Sequence, residues 1–124
     1  MKKIALLLTL VLTFSCGVLK KDKDGYNGTW ILQNKSGGFT GKTTQPDHEV
    51  KLVIKNDKIK YFENGKLISE DVFKVEKGKV IQSTEPQDVI VSKKLMKQSI
   101  NVSGDTLVIA DQCYDCYTYL YVRK

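Results

Sequence analysis

Between residues 50 and 62, hydrophobic and polar side chains alternate. Val50, Leu52 and Ile54 are spaced by Lys51, Val53 and Lys55, and Ile59 and Tyr61 by Lys58, Lys60 and Phe62. A period of two marks a strand with one buried face. Asn64-Gly65 follows directly, a pair that tolerates positive φ and predicts a two-residue hairpin turn. From Tyr26 onward the pattern is β throughout. Leu67, Ser69 and Asp71 offset Ile68, Val72 and Val75 less cleanly, which predicts a bulge near Glu70-Asp71. Lys77-Gly78 reads as the next turn and Val80-Ile81 as the strand after it. Pro86 interrupts before Val89-Ile90-Val91, and residues 93–98 read as a helical turn. Ile100 and Val102 precede a turn at Ser103-Gly104-Asp105, and residues 106–110 and 117–122 form the last two strands. Eight or nine short strands with turn signals between them predict an all-β fold, an antiparallel barrel or sandwich.

The start of the chain follows a different rule. Met1-Lys2-Lys3 is basic, residues 4–14 are an almost unbroken apolar run, and Ser15 places a small residue directly before Cys16. About eleven apolar residues fit the hydrophobic region of a secretory signal and fall short of the ~20 needed to span a bilayer. With a cysteine at the cut, the segment resembles a bacterial lipoprotein signal. That resemblance implies a lipidated Cys16 as the mature N-terminus and an anchor in the bacterial cell envelope, as an outer-membrane lipoprotein facing the periplasm. The usual box has Leu three positions before the cysteine and a small residue two before it, whereas Thr13 and Phe14 stand there in this chain. The alternative is an ordinary signal cut near Ser15, leaving Cys16 a plain thiol. Residues 17–25 read as a charged tether. The expected organisation is a signal peptide over 1–15, the lipidated cysteine and tether over 16–25, and one domain over 26–124.

Removing fifteen residues from 124 leaves 109, enough for one small domain. The formal charge of +6 includes Lys2 and Lys3, so the mature chain carries about +4. Arg123 is its single arginine, and the lysines are spread along the sequence. No concentrated basic patch of the nucleic-acid-binding kind exists, so no nucleic-acid partner is expected.

Gly28-Thr29-Trp30 opens the first strand just after the tether. It resembles the Gly-x-Trp signature of the lipocalins, whose tryptophan plugs the closed end of a ligand-holding barrel beneath a basic residue from the last strand. Arg123 stands in the corresponding place here. The whole of residues 26–124 is similar to the small lipocalin-like lipoproteins of bacteria, although the chain departs from the classical family by being shorter and by lacking a clear C-terminal helix. The resemblance implies a lipocalin-like β-barrel of eight or nine strands, with Trp30 and Arg123 as structural closers.

Cys113-Tyr114-Asp115-Cys116 lies between the last two strands. Outside the cytoplasm a local disulfide is the first reading of such a pair. Free thiols, a redox pair and a metal site remain open, though a thioredoxin-like pair wants a helix N-terminus and a strand follows here. Zinc wants four ligands, and His48 is the sole further soft donor. His48 stands between Asp47 and Glu49 in a loop after Pro46 and reads as solvated. A single histidine beside no activated nucleophile supports no catalytic constellation, and scattered carboxylates support none either. The chain is therefore expected to be no enzyme and to need no metal or cofactor.

Tyr117, Tyr119 and Tyr121 project from one face of the final strand. Turned inward they would wall a small-molecule pocket; turned outward they would make an aromatic ladder for a partner protein or glycan; otherwise they simply pack. The expected function is binding of a small apolar ligand, lined by Tyr119 and Tyr121 with Phe62 and Phe73. The competing expectation is an envelope protein-interaction lipoprotein whose barrel is filled by its own side chains.

Overall fold

The computed structural model describes residues 25–38 and 40–124. The signal segment, Cys16 and the tether up to residue 24 lie outside the described residues. Nine strands follow one another among those described: β1 (Gly28–Gly37), β2 (Lys42–Thr44), β3 (Val50–Lys55), β4 (Lys58–Glu63), β5 (Lys66–Val80), β6 (Ser83–Ser92), β7 (Gln98–Ser103), β8 (Thr106–Asp111) and β9 (Tyr117–Arg123). Every pairing is antiparallel, and from β3 to β9 each strand bonds to the next in the chain. β1 carries β3 and then β2 along one edge and β9 along the other, so the hydrogen bonding runs round as a ring. Closing a sheet in this way leaves few unpaired edges to recruit other chains.

The alternation in the sequence is what sorts the two faces. Leu52, Ile54 and Ile59 are fully buried, while Lys55 and Lys58 between them are exposed. One hydrophobic cluster fills the interior, built from Trp30, Leu52, Ile54, Ile59, Phe73, Ile90, Ile100, Leu107, Ile109 and Tyr121 with Tyr26 beneath them. Asn64 and Gly65 both take positive φ, 52° and 80°, as the predicted two-residue hairpin between β4 and β5 requires. Asn56, at φ 57°, begins a second such turn between β3 and β4 that the apolar pattern does not signal.

Four local expectations are corrected. β5 runs unbroken through Lys77-Gly78, and the chain turns instead at Ile81-Gln82. Gly78 is there for space: an added Cβ would lie 3.3 Å from a methyl of Val89 across the hairpin. Pro86 does not end a strand but sits inside β6, in the irregular stretch between the Gly78–Gln87 and Val80–Ser83 pairs, where a missing N–H breaks no ladder bond. The bulge expected at Glu70-Asp71 falls earlier, with Ile68 left over between the Tyr61–Ser69 and Phe62–Leu67 pairs. Residues 93–98 are not helical. The Ser92 hydroxyl accepts the Leu95 N–H and the Asp71 carboxylate accepts the Lys94 N–H, so side chains satisfy the loop backbone and Gln98 already opens β7.

Candidate functional site

Side chains from the first and last strands of the ring meet over Trp30. Trp30 and Arg123 are paired across β1 and β9, and the guanidinium lies 4.2 Å from the centre of the indole. Its two terminal nitrogens donate to the backbone carbonyls of Asn27 at 2.9 Å and Gly25 at 3.3 Å. The indole N–H donates to the Tyr26 carbonyl at 3.0 Å, so the fully buried tryptophan leaves no polar atom unsatisfied. Gly28 gives the Gly-x-Trp spacing its physical meaning. A Cβ there would stand 2.6 Å from an Arg123 guanidinium nitrogen, and the backbone holds φ 148°.

Toward the opposite end the inner face becomes aromatic and polar. Tyr121 is buried in the core, and Tyr119 and Tyr61 pack against it. Tyr117 reaches the rim, where Lys35 holds its ammonium 4.6 Å from the ring centre. β7 and β8 contribute a polar pair to this half, Gln98 and Asp111, which face each other in register. Both are at least nine-tenths buried, 8 % and 7 % exposed. The Gln98 amide nitrogen donates to the Asp111 carboxylate at 2.7 Å. The Tyr117 backbone N–H and the Tyr119 hydroxyl reach the other carboxylate oxygen at the longer distances of 3.4 and 3.5 Å. The Gln98 carbonyl oxygen is buried with no hydrogen-bond partner, and it alone is so among the described residues.

The environment keeps these phenols protonated. Burial, then the charges of Tyr119 and Asp111, pushes Tyr61 up to about 12. Burial likewise raises Tyr121, with Tyr61, Tyr119 and Asp111 adding to it. Tyr119 rises through burial and the neighbouring Asp111. All three hydroxyls therefore remain neutral at neutral pH, able to donate and accept.

Of the residues the sequence suggests as ligand lining, Tyr119, Tyr121 and Phe73 share this interior, with Phe73 in its hydrophobic cluster. Phe62 does not join them. It pairs with Lys51, whose ammonium lies 4.9 Å from its ring centre, on the face opposite Leu52 and Tyr61. Gln98 and Asp111 escape a reading that seeks apolar positions. Their signal is phase: Asp111 continues Leu107 and Ile109, and Gln98 precedes Ile100 and Val102, each at steps of two on a buried face.

Three other clusters carry less. Cys113 and Cys116 are paired at disulfide distance, with Cα atoms 5.4 Å apart, and the Cys116 carbonyl receives the Gly38 N–H. His48 is exposed, as its loop suggested, and its ring nitrogens meet Asp47 at 2.6 Å and Glu63 at 3.1 Å. The bond to Asp47 chiefly raises its pKa; desolvation opposes the rise, and the bond to Glu63 adds to it. A surface depression of about 270 Å³ lies beside Tyr26, Asp88 and Lys77. Those three are already bonded to one another, with Asp88 accepting from both Tyr26 and Lys77. No group of three or more potential metal ligands occurs among the described residues. Comparison of the chain with protein-family models, with curated proteins and with solved structures finds no match in any of the three.

Proposed function

We propose that the ring is a lipocalin-like β-barrel carried by a membrane-anchored envelope lipoprotein, and that it binds a small hydrophobic ligand. On this reading Cys16 bears the lipid, the Trp30–Arg123 end is the floor, and the ligand enters past Tyr117. Tyr61, Tyr119 and Tyr121 form its walls. The observation that carries the proposal is the asymmetry of the interior. One end is packed and fully hydrogen-bonded, whereas the other gathers aromatic faces around a buried polar pair with an acceptor left over. Apolar walls with a few converging polar groups are the usual composition of a small-molecule site. The role we propose is accordingly binding of a ligand.

The test is uptake of a neutral naphthylamine dye that brightens in apolar surroundings. Saturable one-to-one binding that Tyr119→Ala weakens supports the container. A second reading also has an observation behind it: Trp30, Leu52, Ile54, Ile59, Ile90, Ile100, Leu107 and Ile109 are all essentially inaccessible and occupy much of the interior. A ring filled this way would act through its surface on another envelope protein. Failure of the folded protein to take up the dye would favour that reading.

A further inference from the structure

The geometry points to a ligand whose head group donates hydrogen bonds, an aliphatic alcohol or amine and not a fatty acid, seated against the Gln98 carbonyl and the Asp111 carboxylate. The inference rests on the container reading and adds the class of ligand.

The polar atoms at this place are mismatched in one direction. The Gln98 amide must turn its nitrogen toward Asp111, because the 2.7 Å separation would otherwise set two oxygens against each other. That orientation leaves the carbonyl oxygen buried and without a donor. Asp111 is short of donors too. It receives one short bond, from Gln98, and contacts of 3.4 and 3.5 Å from Tyr117 and Tyr119. A buried acceptor without a donor costs more than a made hydrogen bond returns, so a donor arriving here is favoured twice over. A hydroxyl supplies one proton and an ammonium three, the latter opposite a carboxylate. An ionised fatty acid brings only acceptors and a second negative charge.

The rim offers the contrary arrangement. Lys35 is paired in register with Tyr119, but its ammonium is spent over the Tyr117 ring at the mouth. An acid head would have to stay at that mouth, leaving the Gln98 carbonyl unsatisfied. The two placements make opposite predictions for ligands of one chain length.

Titrating the full chain with octylamine, octan-1-ol and octanoate, followed by the Gln98 side-chain amide signals and the tyrosine ring signals, distinguishes them. The expected result is that the amine and the alcohol bind at least tenfold more tightly than the acid and shift the Gln98 amide. Gln98→Leu should remove the advantage of the alcohol over the acid while leaving the unliganded tyrosine signals in place. Lys35→Gln should leave the ranking unchanged. Octanoate binding as tightly as the other two, above all if Lys35→Gln then abolishes it, overturns the inference and leaves the container reading intact. If none of the three moves any inward tyrosine, the inference and the container reading fail together.

Discussion

Replacing Arg123 by alanine removes several interactions at once, and their sum can be estimated. The cation over the indole is worth about 1 kcal/mol in a partly buried setting. The 2.9 Å bond from a charged donor to the Asn27 carbonyl adds about 1.5 kcal/mol, and the longer bond to Gly25 about 0.5 kcal/mol. The 3.5 Å ion pair with Asp105 adds little, because that carboxylate is 86 % exposed. The total is about 3 kcal/mol, and the guanidinium side chain is itself 32 % exposed, so a loss of roughly 2 kcal/mol is expected. At about 4–8 °C per kcal/mol for a domain of this size, Tm should fall by roughly 8–16 °C. Arg123→Lys should recover about half, since it restores a cation over the ring but not the two-pronged donation. Asp105→Asn should stay within about 0.5 kcal/mol of the parent. Urea unfolding followed by fluorescence is clean, because Trp30 is the single tryptophan and lies beneath the substituted side chain. A loss below about 0.5 kcal/mol for Arg123→Ala would show that this pair does not hold the first and last strands together.

Gly28→Ala should cost about 1–3 kcal/mol, because the new methyl displaces the guanidinium from its seat and strains the backbone; the same unfolding assay reads it, with Gly41→Ala, where a Cβ meets open space but φ is also positive, as the control for strain alone. His48 should titrate above its ordinary 6.5 by NMR, and Glu63→Gln should lower it without returning it fully, since the Asp47 bond is the larger cause. The sign follows from the raised folded value: whatever stability His48 contributes is complete below pH 6.5 and fades as pH rises through its folded pKa. Tyr61 should ionise near pH 12 by absorbance at alkaline pH, with Asp111→Asn lowering that value. A value near 10 would place Tyr61 in water and dismantle the proposed wall.

Much of this architecture can be read from periodicity. The alternation at Val50–Leu52–Ile54 and Ile59–Tyr61 gives both faces of β3 and β4, and Asn64-Gly65 gives the hairpin. What misleads is reading Gly and Pro as punctuation. Gly78 serves packing against Val89 and Pro86 occupies an irregular edge, so one long hairpin resembles several short strands. The polar part of the site is hidden for a different reason. Gln98 and Asp111 look like loop residues by composition, and only the phase of Ile100 and Ile109 reveals that they point inward. Phe62 shows the converse error, since an aromatic side chain one step out of phase with Tyr61 faces away from the interior. The ring itself depends on contacts between residues nearly a hundred positions apart, which no local pattern encodes. Trp30 and Arg123 reveal it only as a pair.

Intermolecular NOEs between the methylene protons of bound octan-1-ol and the protein give the most direct reading of whether the interior is a container. The account predicts contacts to the ring protons of Tyr61, Tyr119 and Tyr121, and none to the indole of Trp30 under its arginine. Contacts confined to outward side chains such as Phe62 and Leu67, or no contacts at all, would contradict it.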